Sequence, residues 1–133
     1  MTKVGLIGNG KWGKVLYNKL IAISDVRFVC TSKDTYIDKL DEVDWVVVST
    51  PNETHYEIVK DCLNNGKNVF CEKPLTLNHE QSDKLFRLAK RKDVKLFVDE
   101  VFWYRSELIQ LHHVFSHNPK KLSCTWKKND TTD

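Results

Sequence analysis

No apolar run in this chain approaches the ~20 residues that a helix needs to cross a bilayer. A membrane-spanning helix is excluded, and no membrane partner is expected. The start of the chain lacks a signal-peptide pattern, because Thr2-Lys3 leads directly into an apolar run and a glycine turn. A cytoplasmic location is the expectation. The four cysteines, at 30, 62, 71 and 124, show neither C-x-x-C nor zinc-ligand spacing, so no metal site is expected. Cys30 and Cys71 fall in expected strands, where small buried thiols are common. Reduced thiols are the default for such a protein. Charge of one sign is scarce too. The formal net charge is +3 with both signs interspersed, which gives no electrostatic footprint for nucleic acid. The Lys-Lys pairs at 120–121 and 127–128 read as a solvated end. Repeats, low-complexity tracts and long linkers are absent.

What is present begins at once. Residues 4 to 13 read Val-Gly-Leu-Ile-Gly-Asn-Gly-Lys-Trp-Gly, an apolar run followed by glycines at 8, 10 and 13. Lys14 to Ile21 then look helical. Strand, G-x-G-x-x-G turn and helix in that order make a dinucleotide site. Gly8 permits the tight turn, Gly10 lets backbone approach a pyrophosphate, and Gly13 lets helix and strand pack closely. The helix N-terminus offers free N–H groups and the positive end of its dipole. Gly8, Asn9, Gly10, Lys11, Trp12 and Gly13 are therefore cofactor-binding candidates.

At 133 residues the chain is one domain on length, large enough for a real core. Strand and helix signals alternate along it, which predicts a doubly wound parallel sheet of Rossmann type. Strands are expected at 3–7, 26–30, 44–49, 68–71 and 95–98. The third of these has Trp-Val-Val-Val at its middle, as a strand buried on both faces should. Helices are expected at about 12–23, from Asn52 to a stop at Asn65-Gly66, from an N-cap at Asn78 to about Arg91, and over about 106–115. Gln81 stands in the capping-box position after Asn78. A weakly helical piece covers about 35–40. Leu122, Cys124 and Trp126 alternate with Ser123 and Thr125, a half-buried strand pattern unlike the core strands.

Two further segments narrow the reading. Ser49-Thr50-Pro51-Asn52 is followed by His55, and Gly66-Lys67-Asn68-Val69 by Glu72-Lys73-Pro74-Leu75. With the glycine fingerprint, these resemble the glucose–fructose oxidoreductase / inositol dehydrogenase / MocA family of NAD(P)-dependent oxidoreductases, over about residues 3–110. Thr50, Pro51 and Asn52 end a central strand, the edge where a doubly wound sheet binds ligands. His55, at the start of the following helix, is expected to face the same crevice, or else to be a plain helix-entry residue. The resemblance implies that Lys73 lies between nicotinamide and substrate and moves the proton of the reacting hydroxyl. It implies that Glu72 contacts the cofactor side and that Pro74 follows a cis peptide. Val98-Asp99-Glu100-Val101-Phe102-Trp103-Tyr104 is similar to a V-D-H-T-F-x-Y segment of members acting on nucleotide sugars, with Glu100 where histidine is common.

The pattern departs in two places. Thr31 occupies the position where an acidic residue normally holds the ribose 2′-hydroxyl of NAD. Thr31, Ser32 and Lys33 could accept a 2′-phosphate, which tilts the expectation to NADP over NAD, with Asp34 as the fallback ribose ligand. Family members also carry a C-terminal α/β domain that supplies most of the substrate pocket, and this chain reaches only near its first strand. The expected division is a cofactor-binding domain over 1–118 and a strand and tail over 119–133. His112, His113 and His117 do not match the family histidine's context. The resemblance implies a sugar, cyclitol or nucleotide sugar oxidised at a hydroxyl. Three readings stay open: an oxidoreductase completed by a second copy or a partner subunit through the 122–126 strand, a nucleotide-binding module without turnover, and a fragment of a longer protein.

Overall fold

The computed structural model describes residues 1–31 and 33–100, and Met1–Glu100 form one compact unit. The strands are β1 (Lys3–Ile7), β2 (Asp25–Cys30), β3 (Trp45–Val48), β4 (Asn68–Cys71) and β5 (Leu96–Val98). The helices are α1 (Lys11–Ile23), α2 (Asn52–Asn64) and α3 (His79–Lys92), with a 3-10 turn over Ile37–Glu42. The five strands form one sheet in the order β2-β1-β3-β4-β5, and every pair is parallel. This is the doubly wound arrangement that the alternation predicts. The expected helix at 106–115, the strand at 121–127, and Ser32 lie outside the described residues.

Side chains alternate across the sheet, and each face has its own core. Val4, Leu6 and Val47 turn to the α1 side, joined by Leu16 and Leu20 from α1. Ile7, Val46, Val48, Val69 and Cys71 turn the other way and meet Ile58, Val59, Cys62 and Leu63 of α2 and Leu85 and Leu88 of α3. Burial on both faces is why β3 reads as an unbroken apolar run. On the α1 side Trp45 stacks on Phe97 of β5, with ring centroids 6.0 Å apart.

The helix ends follow local chemistry. Asn78 caps α3 as expected, but its side chain accepts from the Glu80 backbone N–H at 2.7 Å, so the cap closes one residue before Gln81. At its far end α3 stops at Asp93, with φ of 55°, and the Asp93 N–H returns to the Ala89 and Lys90 carbonyls. Glycine is usual at such a left-handed position, and no sequence signal marked Asp93 for it.

Burial sets the chemistry of the thiols. It raises all three described cysteines above the ordinary value, and pushes Cys62 and Cys71 up to about 12. Only the thiolate attacks an alkylating agent. Iodoacetamide should therefore leave Cys30, Cys62 and Cys71 unmodified in the native protein and label all three in urea, as read by peptide mass spectrometry.

Candidate functional site

The carboxyl ends of β1, β2 and β3 open onto a cleft of about 480 Å³. Residues 8–12 form one wall, Thr31 reaches in from β2, and Ser49, Thr50 and Pro51 come from β3. The strand order places this cleft where β1 stands between β2 and β3, so successive connections leave in opposite directions. Such a switch point is where doubly wound sheets bind ligands.

The glycine turn is built by close approach. Gly8 has φ of +117°, a conformation L side chains rarely adopt, and a Cβ there would lie 2.5 Å from the Ser49 backbone. A Cβ on Gly13 would overlap the Gly8 carbonyl, so only glycine lets the first turn of α1 rest there. Gly10 is different: among the described residues, nothing lies within 4 Å of its Cβ position. The Ser49 hydroxyl donates to the Gly8 carbonyl at 3.0 Å, and the Gly8 N–H donates to the Cys30 carbonyl at 2.6 Å. The turn is thus tied to β2 and β3 together.

At the N-terminus of α1 no side chain caps the helix, and no acidic residue lies in its first turn. The leading N–H groups have no partner within the helix. Lys11 stands beside them, adding positive charge at an end that already favours anions. Open space at Gly10, uncapped N–H groups and a neighbouring cation fit a pyrophosphate.

The second and third motifs meet through His55. Its ring is fully buried, with Nδ1 2.8 Å from the Pro74 carbonyl and Nε2 2.9 Å from the Thr50 carbonyl. The expectation that His55 faces the crevice is corrected here. The side chain lies beneath the loops and joins the end of β3 to the loop after β4. Thr50 is also buried, and its hydroxyl accepts from Thr54 at 2.7 Å. Pro51 and Asn52 remain exposed at the mouth.

After β4 come Glu72, buried, and Lys73, exposed, and the Lys73–Pro74 peptide bond is cis, as the resemblance implied. Glu72 accepts a hydrogen bond from the Trp12 indole N–H. Burial raises the Glu72 carboxyl above its ordinary value and the neighbouring Asp99 carboxyl adds to this, while the Trp12 indole and the Lys73 backbone N–H pull against it.

At the expected ribose position, the fallback ligand Asp34 is fixed in place. Asp34 folds back so that its carboxylate accepts from the Thr31 backbone N–H at 2.5 Å, and that bond holds the carboxyl below its ordinary value. Lys33 is exposed, and its backbone N–H donates to the Thr31 hydroxyl at 3.3 Å. Three residues past the expected position, an acid has returned to the tip of β2. The spacing Thr-x-x-Asp follows the capping-box pattern, with the Thr31 hydroxyl accepting from an N–H ahead and the Asp34 carboxylate returning to the Thr31 N–H.

A family model described as "Oxidoreductase family, NAD-binding Rossmann fold" matches residues 21–100. The chain belongs to this Gfo/Idh/MocA family. The matched span contains the Thr50–His55 and Glu72–Pro74 segments, while the glycine turn precedes it. The inositol 2-dehydrogenase/D-chiro-inositol 3-dehydrogenase of Lactiplantibacillus plantarum is 36% identical over 135 residues, covering 84% of this chain and 39% of that protein. The scyllo-inositol 2-dehydrogenase (NADP(+)) IolW of Bacillus subtilis is 31% identical over 115 residues, covering 72% of this chain and 32% of that protein. Among solved structures, GenD2 from gentamicin A biosynthesis in complex with NAD superposes with a TM-score of 0.77 at 27% identity, over 87% of this chain and 39% of that one. The chain thus spans under two-fifths of the length of these Gfo/Idh/MocA relatives. No helix among the described residues is long and apolar enough to cross a membrane.

The His55 strut yields a stability prediction. His55→Ala removes a buried ring and leaves the Thr50 and Pro74 carbonyls without it. The loss should be about 2–4 kcal/mol in urea unfolding. A variant within experimental error of the parent would show that the strut carries no stability.

Proposed function

We propose that this chain is the cofactor-binding part of an NAD(P)-dependent oxidoreductase that oxidises a hydroxyl of a sugar, cyclitol or nucleotide sugar. The observation that carries the reading is the joining of the three motifs at one sheet edge. The glycine turn, the Thr50–Asn52 loop and the Glu72–Pro74 loop lie at neighbouring strand ends and are tied to one another.

In this reading the N–H groups at the start of α1, with Lys11, hold the pyrophosphate, and Asn9 and Gly10 line its approach. Pro51 and Asn52 bound the cleft on the other side. Glu72 and Pro74 set the loop from which Lys73 reaches out. The bound dinucleotide supplies a two-electron hydride acceptor. The Lys73 amine takes the proton of the substrate hydroxyl as the carbon–hydrogen bond gives up its hydride, so one proton and one hydride leave the alcohol together and a carbonyl results. Thr31 and Lys33 face the adenosine ribose. The fixed Asp34 carboxylate beside them would repel a 2′-phosphate, and this moves the preference from NADP toward NAD. Leu122, Cys124 and Trp126, in the 119–133 segment, are proposed as an edge for a second copy or a partner subunit, on their sequence alternation alone.

Titration with NADH and NADPH, followed by nicotinamide fluorescence, tests the reading, with light scattering on the same sample for the dimer. Binding of either nucleotide is expected. No binding of either would sink it. A sugar and cyclitol screen then separates an oxidoreductase from a module that binds without turnover. Lys73→Ala should cut any turnover found by roughly 10²–10⁴-fold while dinucleotide still binds. Asp34→Asn should raise affinity for NADPH relative to NADH by about tenfold, because the carboxylate that repels a 2′-phosphate is gone. An unchanged ratio would mean that Asp34 does not read the ribose.

A further inference from the structure

The Glu72 carboxylate stands where three chain segments meet. From α1 it receives the indole N–H of Trp12, a residue 60 positions away in sequence. From its own strand end the Lys73 backbone N–H favours its charged form. From the end of β5 the Asp99 carboxyl faces it and favours its protonated form. Glu72 is 8% exposed, so water can do little to replace these partners. Trp12 is 52% exposed, so burial does not account for where its ring sits. The bond to Glu72 does.

We propose that Trp12 is a positioning residue, whose indole N–H holds the Glu72 carboxylate in place and so couples the glycine turn to the loop that carries Lys73. The proposal rests on the role given to Lys73 and the glycine turn above. A ligand that shifts the start of α1 shifts Trp12, and the indole–carboxylate bond carries that shift to Glu72 and the Lys73 peptide next to it.

The arrangement has two states. With Glu72 ionised, both oxygens are acceptors, and the indole N–H is served. With Glu72 protonated, one oxygen becomes a donor, and the acceptor at hand is Asp99. The side chain then turns its proton to β5 and loosens its bond to the indole, and the Lys73 peptide next to it moves with it. Among the described residues, the titratable groups facing Glu72 are Asp99 from the end of β5 and the Cys71 thiol beside it on β4; α1 presents the neutral indole. Burial and Asp99 favour the protonated state, and the indole favours the ionised one. Removing the indole must therefore move the switch to higher pH.

The test uses the full chain, labelled with nitrogen-15 and free of dinucleotide. The indole resonance of Trp12 is identified by its loss in Trp12→Phe. In the parent, the Trp12 indole and the Lys73 amide should titrate together, with a midpoint above the ordinary glutamate value of 4.5. In Glu72→Gln, which keeps one acceptor oxygen and does not titrate, neither resonance should titrate. In Trp12→Phe the Lys73 amide midpoint should rise by about one pH unit. An indole resonance that ignores pH, one that titrates equally in Glu72→Gln, or a Lys73 midpoint unmoved by Trp12→Phe would each overturn the proposal. NADH added to the same samples keeps the two ideas apart. If the coupled titration is present but NADH perturbs no resonance, the coupling stands and the cofactor reading fails. If NADH binds and shifts the Lys73 amide as far in Trp12→Phe as in the parent, the cofactor reading stands and the coupling fails.

Discussion

Without a side chain at position 13, the first turn of α1 lies directly on the Gly8 carbonyl, and the carboxyl edge of the sheet is organised around that approach. It brings the helix N-terminus to the switch point between β1 and β3. It fixes where Lys11 and Trp12 emerge. A methyl group there would push the helix away from the turn, and the open space at Gly10 would no longer face a row of free N–H groups. Helix dipole, uncapped amides and cleft become one site only because two pieces of backbone touch.

The remaining order at this edge comes from side chains that bond across loops. Ser49 holds the glycine turn, and His55 spans from the end of β3 to Pro74. Trp12 reaches Glu72 from the opposite side. In two of these links the far end is a main-chain carbonyl. The loops are consequently positioned as backbone, and side chains that line the cleft, such as Asn9, Lys11 and Pro51, are left exposed. A rigid frame with outward-facing chemistry is what a ligand site on strand ends requires.

Much of this was legible in the sequence. Periodicity and glycine spacing placed each described strand and helix to within a few residues, because apolar alternation and turn residues report local preference directly. The Thr50–His55 and Glu72–Pro74 segments pointed to the correct edge. What escaped has a common cause. The fold-back of Asp34 onto Thr31, the inward turn of His55 and the bond from Trp12 to Glu72 depend on where a side chain points once distant segments have met. A linear pattern holds little record of that. Gln81 shows the same limit at short range, since the cap on α3 closed on Glu80.

Strand order also bears on how the chain reaches this state. β1 comes first in the sequence yet lies inside the sheet, between β2 and β3. Its partner Val46 lies 41 positions beyond Gly5, so that pairing must wait until α1, β2 and the 3-10 turn have been laid down. The Ser49–Gly8 bond spans the same interval. Closing so long a stretch of chain is an entropic step that local helix formation does not help. The cleft is therefore a late product of folding, absent until the centre of the sheet is complete, and a nascent chain that has made only β1, α1 and β2 has a glycine turn but no site.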